Sequence, residues 1–487
     1  MGGSPLHNLA NAQGRPFHPF QYAGVDHIIR RPKCALWARP GAGKTSIVLT
    51  AYDTLRLAGL VTKPMLVIST LRIVRDVWPV EPAKWPHLQH LTIQPILGTP
   101  VARRDAMGAY ADVYTINVEN LPWLLAELGD RWPYGVVVLD ESTKFKSLRA
   151  SIRRNKDGTE WVQGQGAVRA KDLLRAVFRN RVDRLVELTG TPTPNGLQDL
   201  WGQVFFLDYG QRLGRVFDAF RNRWFRGKMD GFGIEPLPYA QGEIEGALQD
   251  LCLTLEPDFV VDEPIVHRIP VTLPPDVRKQ YREMERKAFA EIQGHPIDAF
   301  NAGARTGKLL QFASGVAYLG SPDDPGERKW LEVHQEKLHA LEDLVEESGG
   351  MPLLVAYHFK PDLLRLKKHF KDARELDHKP ATLAAWNKGQ IPMLLTHPAS
   401  AGHGLDLQYG SNILVDFTCT WNSEEHWQIL ERLGPLRQRQ AGFDRPVYRY
   451  HLVAEKTVDE DVLLKHETGR SVQDVLMDAM RTRIESA

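Results

Sequence analysis

The chain has 487 residues, 43% of them hydrophobic, with 61 basic and 60 acidic side chains and a formal net charge of +1. Such a length exceeds one ordinary domain, and a near-zero charge excludes a general basic coat, so any nucleic-acid surface must be a local groove. Cys34, Cys252 and Cys419 are scattered and lack CxxC spacing, which argues against a disulfide frame or zinc site. With no membrane-length apolar run and no signal-peptide pattern at the first residues, they point to a reducing, cytoplasmic setting.

The aromatic segment Pro16–Gly24 opens a helix with Gln21 near its start. Cys34–Ala38 then reads as a buried strand and Thr45–Ala51 as a helix, with Ala38-Arg-Pro-Gly41-Ala-Gly43-Lys44-Thr45 joining them. This join reads as a phosphate-binding loop. Its glycines let backbone N–H groups turn onto phosphates, the helix N-terminus adds a favourable field, Lys44 reaches the β/γ-phosphates and Thr45 can hold Mg²⁺. The chain is therefore expected to bind a nucleoside triphosphate, although Ala38 stands where such loops usually begin with glycine.

Pro64–Leu71 ends a strand at Ser69 and Thr70, and Val113–Asn117 is a further strand carrying Thr115. Trp78 and Trp85 read as core packing. Tyr134–Leu139 is an apolar strand closed by Asp140 and Glu141. Asp140 would bind the Mg²⁺ shell through water, and Glu141 would orient or deprotonate the water that attacks the γ-phosphate. Residues 147–168, with Arg149, Arg153, Arg154, Lys156 and a Gly/Gln-rich run without apolar period, are expected to form a mobile basic loop. Arg184–Thr189 is another strand, followed by Gly190-Thr191-Pro192-Thr-Pro-Asn195. Open α/β sheets bind ligands outside the carboxyl ends of their strands, so the three motifs should converge in one crevice.

In this order GxGKT, DExx and TGTP-x-x-N resemble the motifs of superfamily 2 helicases, and Asn195–Trp201 together with Trp421-Asn422 narrow the resemblance to Swi/Snf-type DNA translocases. The resemblance implies an α/β fold of two tandem RecA-like lobes, with parallel sheets flanked by helices, plus helical insertions. Residues 1–208 would form the first lobe, 209–262 a helical protrusion, and 263–487 the second lobe with a helical insertion at about 275–345. Strand-like runs at 352–357, 391–396, 412–416 and 447–453 supply that second lobe.

The same resemblance assigns residues. Gln21 would read adenine, whose donor and acceptor an amide can both pair; Gly41, Gly43, Lys44 and Thr45 would hold the nucleotide. Ser69, Thr70, Thr115 and Thr191 would hold the backbone of a tracked strand. Pro398–Leu407 resembles motif V, with Ser400 toward nucleic acid and Gly404 and Asp406 toward nucleotide; family members commonly carry Asn at the place of Asp406. Trp421 would contact nucleic acid. In Gln428–Gln440 the family's arginine motif has Arg432 in register but Pro435 at the second arginine. Allowing two extra residues, Gly434-Pro435, makes Arg432 and Arg437 the fingers that reach ATP on the other lobe, with Arg439 in reserve.

The activity implied is a DNA-stimulated ATP hydrolase that uses Mg²⁺ and moves along duplex DNA in replication, recombination or repair, in a compact bacterial or phage-like form. Two alternatives stay open: a strand-separating helicase acting on forked or single-stranded DNA or on RNA, and a nucleotide-gated clamp that scarcely hydrolyses ATP.

Overall fold

The computed structural model describes residues 9–12, 14, 16–39, 41–155, 160–165, 168–180, 182–190, 192–193, 196–227, 234–256, 262–293, 299–319, 329–377, 379–401, 405–468 and 475. The chain divides into two compact units, Met1–Val260 and Val261–Ala487.

In the first unit the apolar runs become one seven-stranded sheet. Its order is Cys252–Leu255, Lys33–Ala38, Arg184–Thr189, Val136–Asp140, Met65–Ser69, Val113–Asn117 and Ile93–Pro95. Every neighbouring pair is parallel. Met65–Ser69, Val113–Asn117 and Val136–Asp140 are buried at every residue, which is why they read as continuous apolar runs rather than alternating ones. Helices Pro19–Arg30 and Lys44–Leu57 contribute to one core that includes Val25, Ile47 and Val67; a second core gathers Leu124, Leu174 and Phe205 from other helices. Because the strands are parallel, their C-terminal ends share one edge. The short edge strands Ile93–Pro95 and Cys252–Leu255 carry too few residues to show a period in the sequence.

After the helix Asp199–Asp208, Phe220, Trp224, Ala240, Ile244 and Leu248 join the first unit's core, and the chain returns to its sheet at Cys252–Leu255. Residues 149–165 depart from the loop expectation: Arg149–Arg154 and Glu160–Gln165 pair as an antiparallel hairpin. Ala150 and Ile152 alternate with Arg149, Ser151 and Arg153, and that short period of two suffices once Ala150 is buried and Ile152 packs on the core.

The second unit holds a six-stranded parallel sheet ordered Ile265–Val271, Tyr448–Ala454, Ile413–Asp416, Leu353–Ala356, Met393–Thr396 and Ala373–Glu375. Helices Pro275–Gln293 and Ala299–Ser314 pack with Val458–Thr468 in a core that includes Tyr281, Leu309 and Val462. Both units are thus parallel sheets flanked by helices. Among the described residues no helix is long and apolar enough to cross a membrane.

Candidate functional site

The Lys33–Ala38 strand ends at Ala38, which is still extended and buried, so a side chain fits where glycine is customary. The turn proper falls on Gly41 (φ 89°) and Gly43 (φ 82°), and Gly43 caps the 14-residue helix Lys44–Leu57. The backbone angle favours glycine at Gly43, and a Cβ there would lie 2.2 Å from Gln21 Nε2 and displace that amide. Gln21 is itself buried: its Nε2 donates to Ala42 O at 3.0 Å and its Oε1 accepts from His18 N at 2.9 Å. In this conformation Gln21 braces the loop with both ends of its amide, a role that the sequence does not announce. Lys44 Nζ lies across the loop and donates to Ala38 O at 2.7 Å; Thr45 is half-buried in the first turn of the helix.

Two strands away, Asp140 ends its strand in register with Leu188, while Trp37 of the loop strand is in register with Thr189. The three motifs therefore meet at one sheet edge. Asp140 is buried, and Trp78 Nε1 donates to its Oδ2 at 2.9 Å. Burial pushes the Asp140 carboxyl pKa up, opposed by the Trp78 hydrogen bond and the Lys44 charge. Trp78 is thus both core, as expected, and a direct partner of the acid, which its sequence position 62 residues away does not reveal. Glu141 follows in the left-handed region (φ 67°, ψ 58°), unusual for a side chain of this size, with its N–H donating to Leu188 O at 2.9 Å. The main chain of the neighbouring strand fixes the residue that the sequence assigns to the attacking water.

Behind the acids, Ser142 Oγ donates to Gln203 Oε1 at 2.7 Å, and Gln203 Nε2 donates to Pro192 O and Asp199 O at 2.8 and 3.0 Å. This buried amide ties the acid strand to the segment after Thr189. Gly202 permits the approach, since a Cβ there would meet Lys146 O at 2.5 Å.

Of the proposed strand-holding residues, the hydroxyls of Ser69 and Thr70 are buried without a hydrogen-bond partner at the end of their strand. Thr115 is different: it is fully buried and donates to Val74 O at 2.8 Å, so it braces the Ile73–Val77 turn and presents no surface to a nucleic acid. Thr191 and Gly404 lie outside the described residues. In the second unit Ser400 is exposed on the short helix Pro398–Ala401. Trp421 is half-buried and its Nε1 donates to Thr306 Oγ1 at 2.9 Å.

Gly434-Pro435 breaks the arginine segment into two helices, Ser423–Glu431 and Pro435–Gln440. Arg432 falls at the break and is buried at 4% exposure. Arg437 Nη1 instead donates to Asp406 Oδ1 at 2.7 Å, joining the two motifs whose departures the sequence flagged. Arg439 is more exposed, 3.5 Å from Asp444.

Two left-handed glycines, a helix N-terminus, a lysine and a buried aspartate form a cradle whose donors and charges suit the phosphates of a nucleoside triphosphate. No family model matches the chain. Putative protein p41 of Acyrthosiphon pisum secondary endosymbiont phage 1 is 45% identical over 472 residues, spanning 96% of this chain and 98% of p41. The chain belongs to the p41 family. Among solved structures, this p41-family chain is similar to the Sulfolobus solfataricus SWI2/SNF2 ATPase core in complex with dsDNA, at 17% identity over 96% of this chain and 92% of that one, with a TM-score of 0.42. It is also similar to the Sulfolobus solfataricus SWI2/SNF2 ATPase core domain, at 16% identity over 96% and 91% of the two chains, with a TM-score of 0.40.

Proposed function

We propose that this protein is an ATP-dependent motor that couples hydrolysis in its first unit to movement along DNA, with duplex DNA as the favoured track. The observation that carries the reading is the meeting, at one sheet edge, of the glycine loop, Lys44, the Trp78-held Asp140 and the left-handed Glu141. Lys44 would leave the carbonyl of Ala38 for the β/γ-phosphates, and the N–H groups at the start of the helix would bind them. Mg²⁺, held by Thr45 and Asp140, would neutralise phosphate charge. Glu141 would orient the attacking water and accept its proton. Arg432 and Arg437 would be the fingers, and releasing Asp406 would free the planar charge of Arg437 for phosphate.

ATP hydrolysis measured alone and with duplex, single-stranded and forked DNA and with RNA tests this, with Glu141→Gln as the blank. Strong stimulation by plain duplex supports the translocase. Preference for forks or single strands favours strand separation, RNA preference overturns the DNA reading, and hydrolysis that no nucleic acid changes sinks the motor. No hydrolysis anywhere would leave a nucleotide-gated clamp.

A further inference from the structure

The hairpin formed by Arg149–Arg154 and Glu160–Gln165 takes no part in the site described above, yet it starts only one short helical turn, Ser142–Phe145, beyond Glu141. Its two faces differ. Ala150 is buried and Ile152 packs against the first unit's core. On the other face stand Arg149, Ser151 and Arg153, and the pairing of Arg153 with Trp161 and of Ser151 with Gln163 brings an aromatic ring and an amide beside them. Arg153 Nε donates to Gln163 Oε1 at 3.0 Å, which places both side chains on the same face. Arg149 anchors the base: its Nη1 donates to Lys146 O and Leu148 O, and its guanidinium lies 3.7 Å from the centre of the Phe217 ring. The ribbon is seated rather than loose, and Trp161 remains 45% exposed.

We propose that this face is a binding platform for unpaired bases of a DNA single strand. Three chemical features select that occupant. The stretch from residue 144 to 155 carries five basic residues, Lys144, Lys146, Arg149, Arg153 and Arg154, and no acid, a local excess in a chain of net charge +1, with Arg153 on the platform face itself. That charge complements phosphates. An exposed indole beside an arginine offers a flat surface on which a base can stack, and Gln163 and Ser151 can pair with base edges or sugar oxygens. A duplex buries its base faces in its own stack, so the indole selects unpaired bases, while Arg153 adds a contact that any strand can use. The proposal rests on the nucleic-acid reading above and deepens it: the motor would hold an unpaired strand next to its hydrolytic acids.

The test uses the full chain and fluorescence anisotropy with a labelled thymidine oligonucleotide and with a blunt duplex of equal length. Trp161→Ala should weaken single-strand binding by roughly 5- to 100-fold and duplex binding by less than about 2-fold. Trp161→Phe should restore most of the affinity, and Arg153→Gln should weaken both substrates and flatten the salt dependence. Unchanged single-strand affinity in Trp161→Ala, with an unchanged unfolding midpoint, overturns the platform, as does an equal loss on both substrates. A wild-type chain that binds no nucleic acid overturns the motor and the platform together, whereas one that binds normally while Trp161→Ala is silent removes only the platform.

Discussion

At the strand ends of the first unit, Lys44 rests on a carbonyl of its own loop and Glu141 is held by a neighbouring strand's main chain. In the second unit Arg437 is paired with Asp406, Trp421 with Thr306, and Arg449 with Asp416 at 2.7 Å. In the first arrangement Lys44 rests on backbone carbonyls and can change partner without unfolding its surroundings, while main-chain pairing sets the position of Glu141. The second commits its signature side chains to one another. Substitutions in the first unit should therefore register as chemistry, and many in the second as stability or as a shifted switch.

The arginines break or sharpen that contrast most strongly. Arg437→Ala should cut turnover by about 10³-fold with ATP affinity retained. Arg432→Ala should in addition destabilise the second unit by about 3 kcal/mol, as loss of a buried charged side chain does. Steady-state kinetics and calorimetry on both variants decide it; equal, mild losses would mean that neither arginine is the finger.

A smaller effect is expected inside the first unit. Gln203→Leu and Ser142→Ala each remove a link between the acid strand and Pro192, and each should lower stimulated turnover by about 10-fold with little change in ATP affinity. The double variant should be no worse than either single one, because both cut the same connection. Additive losses would show that the amide acts only as packing.

The pH response should separate the units more gently. Burial, then the Arg449 charge, holds the His426 pKa well below its ordinary 6.5; burial brings His334, His358 and His466 to about 4. These groups stay neutral in the folded unit while the unfolded chain takes up protons, so their contribution is present above 6.5 and is lost as pH falls toward about 4. By pH 5 each histidine held near 4 should cost about 2 kcal/mol. In the first unit, burial lowers His27 and His87, but it raises Asp140 and Glu187, whose protonated forms suit the folded state at the acid end. Hydrogen exchange at pH 5 should show peptides from 413–468 opening before those from 65–140. The reverse order would refute the assignment.

Much of this architecture was legible because its signals are local. A buried parallel strand must be apolar along its length, and Met65–Ser69, Val136–Asp140 and Ile413–Asp416 all announced themselves that way. Glycine, lysine and threonine between strand and helix marked the loop, and the acid pair marked the strand end. What escaped was carried by contacts between distant residues. Nothing in the sequence joins Trp78 to Asp140 or Ser142 to Gln203, and nothing distinguishes the sealed Thr115 hydroxyl from the unpartnered one at Thr70. The hairpin hid because its first strand offers only Ala150 and Ile152 as an apolar period, set between arginines. Motif spacing counts residues and cannot see which way the chain turns at Gly434-Pro435, between Arg432 and Arg437.

The left-handed backbone of Glu141 has a consequence for the lineage. A large side chain in that conformation costs on the order of 1–3 kcal/mol, a strain that glycine or asparagine would relieve. Persistence of the fold and persistence of turnover thus pull against each other at a single codon. If Glu141 serves the proposed hydrolysis, a copy of this gene released from that demand is free to drift there toward the less strained residue.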